Sequence, residues 1–295
     1  MKLTNTFFLS LLCLVALSAC NSGADTSSSD ADSSQTISAD SGSVDGFTLG
    51  VQMWTFRMFS FTDALNKVDS AGIKSIEAFF GQPLGGDMKG NFGPEMDAGT
   101  RSKLKALLQS KGISIVAMGV ISPANKSEWV KAFELAKEFG LSYITAEPKK
   151  DQWDVADSLS GAYGIKIAIH DHPRPSAYWS PDSVLAAMQG HSNIGACADI
   201  GHWARNGLDP VDCLKKLDGH VFGAHLKDIV KFDDTKAADT VVGKGVIDFP
   251  AVFAELKRQN FRGMFSIEHE SNWYHNLPDV IAIKEYFNTE VAKLK

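Results

Sequence analysis

Four side chains able to hold a cation or move a proton end four short apolar runs. They are His170 after Ile165-Lys166-Ile167-Ala168-Ile169, Asp199 after Ile194-Gly195-Ala196-Cys197-Ala198, His225 after Val221-Phe222-Gly223-Ala224, and Glu268 after Gly263-Met264-Phe265-Ser266-Ile267. Alternate residues of a strand face opposite ways. His170 therefore shares a face with Ala168 and Lys166, Asp199 with Cys197 and Gly195, His225 with Gly223, and Glu268 with Ser266. The small or polar face suits a crowded axis, and the bulky isoleucine face suits a covering layer of helices. Two imidazoles and two carboxylates are expensive to bury together, and a divalent cation reverses that cost. Two nitrogen and two oxygen donors suit manganese, zinc, cobalt or iron(II) better than calcium, and the sequence leaves the ion open among these and magnesium. All eight histidines lie at or after position 170, so the second half of the chain carries this chemistry.

Glu147 ends another such run on the parity of Tyr143 and Thr145, as a fifth ligand or a general base. Glu268 can combine ligation with proton transfer. A cation that polarises a carbonyl, with a carboxylate beside it, moves a proton next to that carbonyl. Glu77, His172, His202 and Lys227 are expected to contact the substrate or support the ligands, and Glu270 stands with them. Trp54, with Trp179, Trp203 and Trp273, offers either apolar platforms for sugar faces or a roof over the site.

The elements that must position these groups repeat along the chain. Apolar runs are expected as strands over Thr48 to Trp54, Lys74 to Phe79, Ile113 to Val120, Ser142 to Glu147, Ile165 to His170, Ile194 to Asp199, Val221 to Lys227 and Gly263 to Glu268. Between them lie amphipathic stretches of helical period. Gly72, Gly112, Gly140 and Gly164 each stand where a helix ends and a strand begins. Thr62-Asp63, Ser127-Glu128, Ser180-Pro181 and Asp209-Pro210 read as helix starts. Eight strand-helix units in about 250 residues fit a closed (β/α)₈ TIM barrel, an α/β fold whose strands all end on one face. An open doubly wound sheet would show a Gly-rich turn after the first strand, and Gln52-Met53-Trp54-Thr55 is not one.

Residues 1–20 combine Lys2, an apolar run from Phe7 to Leu17, and Leu17-Ser18-Ala19 before Cys20, which reads as a secretory signal and resembles a bacterial lipobox with Cys20 lipidated. Residues 21–45, rich in Ser and Asp, are expected to be a disordered tether. Residues 46–295 then form one catalytic domain outside the cytoplasm, on a lipid anchor facing the periplasm or the cell surface. The net charge of −6 and the lack of clustered Lys and Arg argue against a nucleic-acid partner. Cys197 and Cys213 are the cysteines of the domain, and the sequence leaves open whether they pair.

From Phe47 to Lys295 the chain resembles the sugar phosphate isomerase/epimerase families with a xylose-isomerase-like TIM barrel. The resemblance rests on Asp199-Ile200-Gly201-His202, on His225-Leu226-Lys227-Asp228, on Gly243-Lys244-Gly245-Val246-Ile247-Asp248-Phe249 and on Ser266-Ile267-Glu268, in that order. It implies one divalent metal, with Asp199, His225 and Glu268 at metal positions, and a proton exchanged beside a bound carbonyl. His170 stands where ketose epimerases carry a glutamate. The implied activity is an isomerase or epimerase acting on a non-phosphorylated sugar, since phosphorylated sugars are largely cytoplasmic. The alternative is a 3-keto-glycoside lyase or hydratase using the same enediolate. Two rivals are an endonuclease-IV-like enzyme, opposed by the absence of early histidines, and a non-catalytic, lipid-tethered sugar-binding protein.

Overall fold

The computed structural model describes residues 43–44 and 46–294. The expected leader with Cys20, and the tether up to residue 42, lie outside them. Eight strands form the barrel: β1 (Phe47–Gln52), β2 (Ser75–Ala78), β3 (Ser114–Ile121), β4 (Tyr143–Ala146), β5 (Lys166–His170), β6 (Ile194–Asp199), β7 (Val221–Leu226) and β8 (Met264–Ile267). Each pairs in parallel with its neighbours, and β1 pairs with both β8 and β2, which closes the sheet. A two-residue strand, Ser43–Val44, pairs antiparallel with the start of β1, so strand pairing begins slightly before the expected boundary.

Helices α1 (Phe61–Ser70), α2 (Ala98–Lys111), α3 (Lys126–Phe139), α4 (Trp153–Tyr163), α5 (Pro181–Met188), α6 (Ile200–Arg205), α7 (Pro210–Lys216), α8 (Phe249–Arg258) and α9 (Leu277–Val291) follow the strands in turn, with α6 and α7 together after β6. Gly112, Gly140 and Gly164 cap α2, α3 and α4 in the left-handed conformation, which costs glycine little. Ser180 and Asp209 cap their helices as expected. The caps of α1 and α3 are Ser60 and Asn125, two residues before the expected positions. Thr62 is unavailable as a cap because its hydroxyl donates to the Leu84 carbonyl at 2.9 Å. Among the described residues no helix is long and apolar enough to cross a membrane.

The strand parity holds in the packing. Ile165, Ile167 and Ile169 join the large apolar core, whereas Val116, Ala117, Tyr143, Ala168, Cys197 and Met264 form a separate cluster. A side chain at Gly223 would come within 2.6 Å of the Tyr143 hydroxyl. The small residues of β7 therefore make room for one large ring. Cys197 and Cys213 are both free and buried.

Candidate metal centre

The four strand-end groups meet. His170 Nε2 lies 3.1 Å from His225 Nδ1 and 3.7 Å from Asp199 Oδ2. His225 Nδ1 is 3.8 Å from the same Asp199 oxygen and 2.9 Å from Glu268 Oε2. One donor atom from each of the four lies within 4.8 Å of the others, and all four residues are buried. Asp199 Oδ2 has no hydrogen-bond partner. A buried, unpartnered carboxylate oxygen facing three further donors fits a divalent cation, which would satisfy all four at once.

The electrostatics agree. Burial pushes the His170 imidazole down, but the carboxylates of Asp199 and Glu147, 3.7 and 3.6 Å away, outweigh it and hold the group up at about 9. Burial raises Glu268, yet the charges of Lys227 and His225 bring it to about 2. The Glu268 carboxylate thus stays ionised at neutral pH, as a ligand must be, and a bound cation would displace the proton that His170 holds.

Each imidazole is oriented by a carboxylate on its far nitrogen. His225 Nε2 is 2.9 Å from Glu77 Oε2, which also accepts from the Ser266 hydroxyl at 2.8 Å. His170 Nδ1 faces Glu147 Oε1 at 3.6 Å. This turns His225 Nδ1 and His170 Nε2 toward the centre and toward each other and Glu268, the orientation that a metal-bound histidine needs. Glu77 thereby departs from its expected role at the substrate: wholly buried beneath His225, it does not reach the cavity wall. Glu147 is likewise turned away from the four donors. Its Oε1 accepts from His172 Nδ1 and its Oε2 from the Ser176 hydroxyl.

The segment Asp199-Ile200-Gly201-His202 has a local explanation. Asp199 Oδ1 accepts from the His202 amide at 2.9 Å and so caps α6, which begins at once and turns His202 back over the centre. Its other oxygen stays free for the cation. A side chain at Gly201 would sit 2.6 Å from the Lys227 side chain and 2.9 Å from its carbonyl oxygen. Arg205 Nη1 lies 3.0 Å from His202 Nδ1 and donates to it, which places the His202 proton on Nε2. Burial holds His202 well below the ordinary histidine range, so it is neutral.

Lys227 is also buried. Its ammonium lies 3.5 Å from Asp199, 3.2 Å from Glu268 and 2.5 Å from Glu270, behind Glu268 and not in the cavity wall, which corrects its expected contact with substrate. Asp228 shapes the next loop, its carboxylate accepting from the amides of Ile229, Gly243, Gly245 and Ile247. A side chain at Gly245 would collide with that carboxylate.

Above the centre opens a cavity of about 360 Å³. It is lined by His172, His202, Glu268 and Glu270 together with Gln52, Trp54, Phe79, Phe80, Gly119 and Val120. Trp54 is held by a 3.3 Å hydrogen bond from its indole to Glu270. The other tryptophans are not in this wall: Trp203 is buried within α6, Trp179 stacks under Arg174, and Trp273 stacks on Arg57. Sequence reasoning missed Gln52, Phe79, Phe80, Arg205 and Asp239. Asp239 ties the loop after β7 to the site by accepting from Arg205 and from the Glu270 amide.

Residues 65–287 match the model of the xylose isomerase-like TIM barrel family, and the chain belongs to that family. It is 30% identical over 129 residues to an inosose dehydratase of Clostridium botulinum, spanning 39% of this chain and 43% of that protein. A solved but uncharacterised protein of Parabacteroides distasonis is 33% identical, with a TM-score of 0.68 over 83% of this chain and 99% of its own. The IOLI protein, solved with a bound zinc atom, shares the fold at 20% identity and a TM-score of 0.67, over 84% of this chain and 99% of its own.

Proposed function

We propose that the domain is a divalent-metal-dependent enzyme that removes the proton beside the carbonyl of a non-phosphorylated keto-sugar or keto-cyclitol and expels an oxygen substituent from the next carbon. The observation that carries this reading is His172, which lines the cavity with Glu268 and pairs through Nδ1 with Glu147. A cation bound there would act as a Lewis acid on the substrate carbonyl.

With Nδ1 engaged by Glu147, His172 has Nε2 left to take the proton, and Glu147 stabilises the imidazolium that forms. The electron pair of the broken C–H bond becomes a carbon-carbon double bond, the C–O bond breaks, and His172 returns its proton to the departing oxygen. His202 Nε2–H donates to a substrate oxygen, and Trp54 covers the ring. The kinship with inosose dehydratases supports elimination, as does an imidazole at position 170 where a two-carboxylate exchange would want a glutamate. If the proton is returned to carbon instead, the same residues perform isomerisation or epimerisation.

The test is incubation of metal-loaded protein with free keto-sugars, inosose and 3-keto-glycosides in heavy water, followed by NMR. Loss of the substituent supports the lyase, and deuterium in an intact sugar supports the isomerase. Neither outcome, with binding retained, would leave a sugar-binding protein. We further propose that the domain works outside the cytoplasm on a lipid at Cys20, as the lipobox-like segment suggests; metabolic labelling with a fatty acid that persists in a Cys20→Ser variant would refute the anchor.

A further inference from the structure

Beyond the cavity over the metal centre lies a second hollow of about 360 Å³, between the loops that follow β2 and β3. Phe80 and Val120 border both hollows, so the two meet at these side chains. The first is lined by imidazoles and carboxylates together with the apolar side chains of Trp54, Phe79, Phe80 and Val120. Glu268 belongs both to the four donors and to this cavity, so a sugar ring held there by its carbonyl occupies a space whose border with the second hollow is Phe80 and Val120. Each hollow is at the low end of small-ligand pockets, roughly 300–1,000 Å³, a size for one ring and not two.

The second hollow has its own chemistry. Pro94, Ile121 and Pro123 continue the apolar surface, and an ion pair between Lys131 and Glu95 at 2.8 Å stands at its rim. Flat apolar walls with a few charged groups at the edge suit a ring with one apolar face and hydroxyls around it, or an aromatic ring.

We propose that this hollow is a second subsite, which receives the substituent attached to the metal-bound ring, so that the substrate is a glycoside of two ring units and not a free monosaccharide. The proposal rests on the reading of the centre given above. It also assigns the second hollow a part in the reaction: the unit seated there is the one expelled. The C–O bond to it breaks as the ring gains its double bond, and the departing oxygen takes the proton removed from carbon.

Ser122 is exposed, lines only the second hollow and touches neither the metal centre nor the cavity above it. Ser122→Trp should fill the hollow. The probes are the 3-keto derivatives of benzyl β-D-glucopyranoside, which has two rings, and of methyl β-D-glucopyranoside, which has one, the two leaving groups being alcohols of similar acidity. The native protein should favour the two-ring compound at least tenfold in kcat/KM. Ser122→Trp should abolish that preference, with the methyl compound unchanged within twofold and the melting temperature retained. Lys131→Ala should reduce the preference in part. Equal turnover of both compounds by the native protein, or an equal loss for both in Ser122→Trp, would overturn the subsite alone. Turnover of neither would overturn the reading of the centre, and the subsite with it.

Discussion

Glu77→Gln separates a residue that orients the metal site from one that merely fills space. Glu77 is wholly buried and reaches across the barrel axis from β2 to His225 on β7. Its carboxylate accepts from His225 Nε2, which leaves Nδ1 with the lone pair that faces Asp199, Glu268 and His170. Glutamine has the same shape but carries a donor; an amide N–H directed at Nε2 drives the imidazole proton to Nδ1, where the cation must bind. Loss of such a partner typically weakens metal binding about 10–100-fold, or roughly 1.4–2.7 kcal/mol. The metal-free protein should lose some stability too, because a neutral amide no longer balances the buried His225 imidazolium, but it should stay folded. The expected result is therefore a 10–100-fold weaker zinc or manganese affinity by competition calorimetry, with a cooperative melting transition retained by the metal-free form. Affinity within twofold of native would refute the orienting role, and a fall in affinity matched by collapse of the metal-free fold would reduce Glu77 to packing.

Three further outcomes follow from the geometry. His172→Ala should lower kcat at least about 100-fold, the scale of a lost general base, while calorimetry finds metal affinity nearly unchanged; a parallel loss of metal would make His172 a ligand. Gly223→Ala should cost about 1–3 kcal/mol of stability in a denaturant titration, because the new methyl meets the buried Tyr143 ring, and an unchanged midpoint would contradict the packing along the axis. Asp228→Ala deprives four loop amides of their acceptor; even one orphaned donor costs about 1–3 kcal/mol, so hydrogen exchange should accelerate across residues 228–248, and native protection there would refute the role of Asp228.

The barrel and its candidate metal centre were legible because both depend on short-range regularities. Strand parity is fixed by the backbone, so His170, Asp199, His225 and Glu268 could be placed on one face from their neighbours alone, and the glycines at 112, 140 and 164 marked where helices turn into strands. Contacts across the axis have no such local signature. Nothing near Glu77 says that it meets His225, and nothing near Glu147 says that its carboxylate turns to His172. Lys227 has the parity of His225, yet it is drawn behind Glu268 by three carboxylates, all of them brought by other strands and loops. The loop after β7 was legible as a motif but not as a device, since the four amides that Asp228 gathers lie up to 19 residues away.

The most direct measurement is anomalous diffraction from crystals of the domain loaded with zinc or manganese, recorded at the absorption edge of the ion. One peak is predicted, within about 2.0–2.3 Å of His170 Nε2, Asp199 Oδ2, His225 Nδ1 and Glu268 Oε2. No peak there at saturating metal, or a single peak elsewhere, would contradict a centre built by those four strand ends.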